Sequence, residues 1–198
     1  MGISERKAKE KQQRRQSILL AAEQIFFDER RVKATMDDVA QKAELSKGTL
    51  YLYFKNKDDL MLGIAKKGAQ LLTSYLKKAT IELSSGIEKL SCIGDAFVQF
   101  VKDYPSHFEL ILKFELFDNK ASDDSPEIMK QSLDVLEDSI QQGQQDNTIR
   151  KDITPSTLVQ VIWSQQLGIL HQSLKQSHLN FSEIIKSHYK IVMQGLKP

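Results

Sequence analysis

The chain has 198 residues, 40% hydrophobic and 27% charged, with a formal net charge of +2, a composition that fits one or two ordinary globular domains. Nine Gly and four Pro are too few for a sandwich or barrel with turns every ~8–12 residues, and no apolar run approaches the ~18 residues of a membrane span. A single cysteine, Cys92, excludes an intrachain disulfide and a CxxC site; with no signal-peptide pattern after Met1, the expectation is a cytoplasmic, mostly helical protein.

The chain opens on a basic arm, with Arg6, Lys7, Lys9, Lys11, Arg14 and Arg15 against only Glu5 and Glu10. Such a terminus suits a polyanion, or is simply a solvated tail. Ile18, Ala22, Ile25 and Phe26 then mark one face of a first helix. Thr35, with Asp38 three residues on, forms a capping box for a second helix whose inner side carries Met36, Val39, Ala40 and Ala43. Ser46 caps a short third helix, with Leu45 and Leu50 placed as a hydrophobic staple. Asn56 caps a long fourth, with Asp59 at its third position, running through Leu60, Ile64, Leu71, Tyr75, Ala79 and Leu83. Further helices are predicted over 87–103, 106–118, 126–142, 155–175 and 181–195. Pro105 and Pro155 suit first turns, Pro155 with Thr154 as its cap. Asn180 and Glu183 form a further capping box, while 146–152 reads as a loop. The chain is thus predicted to be all-α, with about nine helices.

Residues 35–54, TMDDVAQKAELSKGTLYLYF, place two short capped helices either side of a turn near Glu44 and Leu45. That is the spacing of a helix-turn-helix, whose second helix enters the major groove. Val39, Ala40, Ala43, Leu45, Leu50 and Phe54 can pack inward, which leaves Lys47, Gly48, Thr49, Tyr51 and Tyr53 outward. A lysine, a glycine with no side chain to hold the backbone off, and tyrosines within reach of phosphates suit a DNA surface. The competing reading of the same pattern is an ordinary helical hairpin with its tyrosines in the core.

The stretch from Arg15 to Leu60 resembles the DNA-binding domain of the TetR/AcrR family of transcriptional regulators. The resemblance rests on Ile18, Ala21, Ala22, Phe26, Thr35, Asp38, Val39, Ala40, Ala43, Ser46, Lys47, Gly48, Thr49, Leu50, Tyr51, Phe54, Lys57 and Leu60, and covers about a quarter of the chain. It implies a DNA-binding domain over 1–56 and a helical effector-binding and dimerisation domain over 57–198. It implies base-edge roles for Lys47 and Gly48, with Thr49 and Leu52 contributing according to the operator. Phosphate-side roles fall to Thr35, Tyr51, Tyr53 and Lys57, and Ser46 joins the DNA-facing set. Arg30 and Glu44 stand where the family usually has glycine. Either those turns take another shape, or a left-handed residue there carries ~1–2 kcal/mol of strain.

The family also implies a ligand cavity and a dimer interface in the second domain. Phe97, Phe100, Tyr104, Phe108 and Trp163 form an aromatic stripe that reads equally as core or as pocket, with Gln166 a polar group able to orient a ligand. His107, Gln165 and His171 are further polar candidates, and 11 acids against 3 bases between Asp103 and Asp146 would favour a cationic effector or mark a solvated face. The last two helices are the dimer candidates, since Leu158, Ile162 and Ile169 with Val159, Trp163, Leu167, Leu170 and Leu174 give the helix from 155 a broad apolar girth. No HExxH, GxGxxG, P-loop or GxSxG pattern occurs; no catalytic residue, metal or other cofactor is expected. The expected protein is a homodimeric repressor that binds a pseudo-palindromic double-stranded operator and is released by a small-molecule effector of unknown identity, with no membrane partner. The alternatives are an activator, a member without small-molecule control, or a helical ligand-binding scaffold without DNA function.

Overall fold

A computed structural model describes residues 2–28, 34–116, 128–175 and 181–198. Among them lie nine helices and no strand: α1 (Ile3–Phe26), α2 (Met36–Lys42), α3 (Lys47–Tyr51), α4 (Lys57–Thr80), α5 (Gly86–Asp103), α6 (Pro105–Leu116), α7 (Lys130–Gln145), α8 (Pro155–Lys175) and α9 (Phe181–Gly195). Arg30, Phe117, His178 and Asn180 fall outside the described residues, as do the side chains of Leu174 and Phe181. The basic arm is a continuation of α1, an exposed helix rather than a separate tail.

The caps explain where helices start. The Thr35 hydroxyl accepts from the Asp38 amide at 3.2 Å, and the Asp38 carboxylate accepts from the Thr35 amide at 2.8 Å, so two otherwise orphaned donors are satisfied reciprocally. Ser46 and Asn56 accept from the third amides of α3 and α4, and Thr154 does the same for α8 at 3.3 Å. Helix α5 is different, because its Ser85 makes no side-chain cap bond. Its first amides are taken by a turn sixty residues away: the Gly86 amide donates to Asp146 at 2.8 Å and the Ile87 amide to Thr148 at 3.3 Å. Gly86 is required there, since a Cβ would stand 2.0 Å from the Gly143 nitrogen.

Several boundaries differ by one to four residues from the sequence expectation, two of them for a reason visible in the hydrogen bonds. Helix α4 ends at Thr80, and the Leu83 amide closes onto the Thr80 carbonyl at 3.2 Å. Helix α7 runs to Gln145 instead of 142, because the Thr148 amide returns to the Gly143 carbonyl at 2.9 Å around Asn147 at φ 63°. This is the closure a left-handed residue provides at a helix end, and asparagine tolerates it.

Two apolar cores result. The first gathers Ile18, Ala22 and Ile25 of α1, Val39 and Ala40 of α2, Leu50 of α3 and Phe54. It extends past residue 56, taking Leu60, Ile64 and Ala65 from the start of α4. Further along α4, Ala69, Leu72 and Leu76 belong to the second core. Helix α6 is also divided, with Leu110 and Phe114 in the first core and Phe108, Ile111 and Leu112 in the second. Each such burial stabilises by roughly 1.5–3 kcal/mol, so α4 and α6 tie both halves into one body.

The turn between α2 and α3 settles the question left by Glu44. Its φ is 55°, the Leu45 amide bonds the Ala40 carbonyl at 2.9 Å and the Glu44 amide bonds Gln41 at 3.1 Å. The turn keeps the shape that glycine favours, and the glutamate carries the strain. We expect Glu44→Gly to raise stability by about 0.5–1 kcal/mol, the relieved strain less the entropy that glycine adds to the unfolded chain; a urea midpoint that stays put or falls would contradict this.

Candidate nucleic-acid interface

Six of the nine residues singled out for DNA contact come from three helix starts that two polar links draw together, and Tyr51, Leu52 and Tyr53 stand at and after the end of α3. Lys47 Nζ, at the first position of α3, pairs with the Asp37 carboxylate of α2 at 2.9 Å. Lys57 Nζ, at the first position of α4, donates to the Ala34 carbonyl beside the α2 cap at 2.8 Å and lies 5.0 Å from the Phe26 ring centre. The starts of α2, α3 and α4 therefore lie near two ammonium groups, with Asp37 and Asp38 in the first turn of α2 and Asp58 and Asp59 in that of α4. The Asp37 carboxylate, by hydrogen bond and then by charge, raises the Lys47 pKa, so this lysine stays cationic.

Around these links the outward set is laid open. Gly48 is exposed, and only Ser46 Oγ, at 3.9 Å, would meet a Cβ there. Tyr51 is 43% and Leu52 80% exposed, whereas Tyr53 and Thr49 are half-buried. Ser46 and Thr49 hydroxyls hydrogen-bond each other at 2.8 Å, and the Thr35 hydroxyl donates to Asp38 at 2.6 Å. Thus Thr35, Ser46 and Thr49 serve first as local structure, while Lys47, Gly48, Tyr51 and Leu52 form the open face. Leu50 and Phe54 are buried beneath it at 0% and 1%, which is why a helix of five residues holds its orientation.

The aromatic set lies in the second core. Phe97, Phe100 and Phe108 are buried, Tyr104 and Trp163 half-buried. Phe100 stacks on Tyr104 with ring centres 5.5 Å apart, and Phe97 meets Phe108 edge-on at 5.6 Å. Gln166 is buried and donates to the Tyr189 hydroxyl of α9, while Gln165 bonds His188 at 2.9 Å. Trp163 packs against this core from its edge. His171 is half-buried on α8.

Sequence reading missed a polar group that joins the two cores. Glu23 of α1 accepts from His107 of α6 at 3.2 Å and from Lys67 of α4 at 2.8 Å, with the Glu23 and His107 side chains only 13% and 11% exposed. Gly68 makes the contact possible, because a Cβ there would stand 3.0 Å from His107 Cβ. Phe27 and Tyr104 rings cover the imidazole edge-on at 4.9 and 5.7 Å. The one available signal was Glu23 itself, a carboxylate inside the apolar run LLAAEQIFF.

Residues 18–64 match the profile of the bacterial regulatory proteins of the tetR family. That stretch carries the sequence pattern of tetR-family regulatory proteins. The chain is 29% identical over 101 residues to the HTH-type transcriptional activator FasR of Mycolicibacterium smegmatis, a match covering 51% of this chain and 46%, about half, of that relative's length. It is 23% identical over 156 residues to the fatty acid metabolism regulator protein of Bacillus subtilis, covering 78% of this chain and 80% of that one. The solved structure of the transcriptional regulator FadR from Bacillus subtilis in complex with stearoyl-CoA shares the fold, with a TM-score of 0.69, 18% identity and coverage of 91% and 98% of the two chains. The matched stretch contains the helix-turn-helix pair α2 and α3, and among the described residues no helix is long and apolar enough to cross a membrane.

The buried carboxylate gives this chain a testable acid sensitivity. Burial alone would raise the Glu23 pKa, but the hydrogen bonds and charges of His107 and Lys67 outweigh it and hold the group below its ordinary 4.5. A lowered folded-state pKa adds stability that is fully present above the unfolded value and is lost as pH falls through the folded one. Wild type should therefore exceed Glu23→Gln in urea stability at neutral pH, with the gap closing only below about pH 4.5. A gap that is constant through the acid range would show that the carboxylate's charge is not what matters.

Proposed function

We propose that the protein is a homodimeric, ligand-responsive repressor, in which 1–56 reads a pseudo-palindromic operator and 57–198 carries the effector site and dimer contacts. The carrying observation is the convergence of the α2, α3 and α4 starts beside Lys47 and Lys57, with Gly48, Tyr51 and Leu52 open. Under this reading Lys47 and Gly48 approach base edges, with Thr49 and Leu52 flanking them. Thr35, Ser46, Tyr51, Tyr53 and Lys57 face the phosphates. A dimer through α8 and α9 is supported by apolar side chains left open there, Val161 at 47% and Ile191 at 73%. Twofold symmetry then requires half-sites ~34 Å apart or a multiple of it. Footprinting on the DNA beside the protein's own gene tests this. An inverted repeat supports the reading, and a protected site without one, or a monomer in sedimentation, overturns the dimeric mode.

Within that footprint the two lysines separate. Lys57→Ala should weaken all duplexes alike and flatten the salt slope by ~0.9, one phosphate contact. Lys47→Ala should instead erode discrimination between the footprinted site and a scrambled one by ~5-fold or more. The reverse pattern would exchange their roles.

The effector reading rests on Phe97, Phe100, Tyr104, Phe108, Trp163 and Gln166, an apolar interior with one amide. Relatives named for fatty acid metabolism, one solved with stearoyl-CoA, support a ligand with a long apolar tail. Release of DNA would follow from α6 and α4 moving together, since each packs in both cores. FasR is named an activator, so a reporter fusion decides the sign of regulation. With stearoyl-CoA as probe, Trp163 fluorescence should change on binding, and DNA affinity should fall ~5–150-fold, with DNA weakening the probe by the same factor. A fluorescence change that leaves DNA affinity untouched would remove the switch.

A further inference from the structure

The exposed part of α1 carries more than the expectation of a basic arm. Counted along the helix, the stripe Ile18, Ala22 and Ile25 is buried in the first core. The same stripe continued one turn at a time toward the N-terminus is Arg14, Lys11 and Lys7, at helical spacings of three and four. The helical face that binds the recognition domain from residue 18 onward therefore becomes, beyond the edge of that domain, a row of cations. These three line a groove of about 580 Å³ together with Ser17 and Tyr53, and Tyr53 stands two residues past the end of α3. Glu10 lies in the same groove, but Arg6 holds it at 3.0 Å, which compensates its charge.

We infer that this helical extension is a second DNA-contacting surface, in which Lys7, Lys11 and Arg14 follow the phosphodiester backbone of duplex DNA flanking the site under α3, beside the Tyr53 hydroxyl. The inference rests on the proposed DNA reading and enlarges it. Three cations in a helical row, all exposed, match a polyanion of regular charge spacing. The occupant is duplex DNA because the row shares Tyr53 with the recognition face, so one ligand can lie along both. A rigid helix also positions its charges before binding, whereas a flexible tail would lose entropy on ordering them.

The test is a salt titration of binding to a fluorescent mixed-sequence duplex of ~40 base pairs, for wild type, Lys7→Ala/Lys11→Ala/Arg14→Ala and a control, Lys77→Ala/Lys78→Ala, that removes charge from the far end of α4. Alanine is the best helix former, and circular dichroism checks that α1 persists; a glutamine triple gives the same charge loss with longer side chains. The alanine triple should lower the slope of log affinity against log salt by ~2.7, so that the wild-type advantage shrinks ~40-fold between ~50 and ~200 mM salt. The control should keep the wild-type slope. A triple variant with wild-type slope, or one matched by the control, overturns the inference and leaves the operator reading standing. Wild type that fails to bind any duplex overturns that reading and this surface with it. If the triple instead loses binding to vesicles of phosphatidylglycerol while its DNA slope is unchanged, the groove serves a membrane and the inference is wrong.

Discussion

The Glu23 carboxylate holds three helices from two cores at one point, and most of the architecture is arranged so that it can. It reaches His107 and Lys67 at once, with its own side chain and that of His107 only 13% and 11% exposed and that of Lys67 31%. Removing one partner would leave a buried charge partly uncompensated, which is far more disruptive than losing an exposed pair. The apolar packing around it follows the same plan. Helix α4 passes from the first core at Leu60, Ile64 and Ala65 to the second at Ala69, Leu72 and Leu76. Gly63 and Gly68 lie on this stretch, where a Cβ would stand 2.9 Å from Leu19 and 3.0 Å from His107. Helices α1 and α6 therefore approach α4 closely enough for the carboxylate to bridge them.

This constraint gives the recognition helix its rigidity at second hand. Helix α3 has five residues and one fully buried side chain, Leu50, too little to stand alone. Its direction comes from the Ser46 cap, from the turn at Glu44 and from Phe54, which packs under the face of α1 that carries Arg15 at 4.6 Å from the ring centre. Since α1 is anchored through Glu23, the orientation of α3 is linked to α6 through contiguous packing. The strain at Glu44 persists because the flanking bonds to Ala40 and Gln41 over-determine the turn.

What the sequence made legible were features written locally. Capping residues, the apolar stripes and the helix-turn-helix spacing each sit within a few residues of what they determine, and Thr35, Ser46, Asn56 and Thr154 cap as their spacing predicts. The features that stayed hidden join distant segments. The cap of α5 comes from Asp146 and Thr148, which no window around Ser85 contains. Phe108 and Phe114 share one aromatic-rich stretch in the sequence yet enter different cores, because helical residues six apart point to different sides. Glu23 and His107 are separated by 84 positions. For the nucleic-acid face, which side chains are open was largely legible; that Thr35, Ser46 and Thr49 are already engaged locally was not, since a hydroxyl's partner depends on geometry.

The polar contacts divide by how readily they exchange. Lys47 with Asp37 is an exposed pair, with side chains 61% and 63% accessible, and such pairs contribute little because water screens them. Lys57 on the Ala34 carbonyl is likewise exposed. Either lysine can leave its partner for a phosphate or a base at little cost, so these links keep the helix starts aligned without opposing a ligand. The Glu23 cluster has the opposite character, with Phe27 and Tyr104 packed on the His107 ring and its members drawn from α1, α4 and α6. Under the proposed function the exchangeable contacts lie where DNA arrives, and the non-exchangeable one lies where the two cores must stay in register. A signal entering at α6 therefore cannot be absorbed by a slack junction; it must either be resisted or passed to α1 and α4.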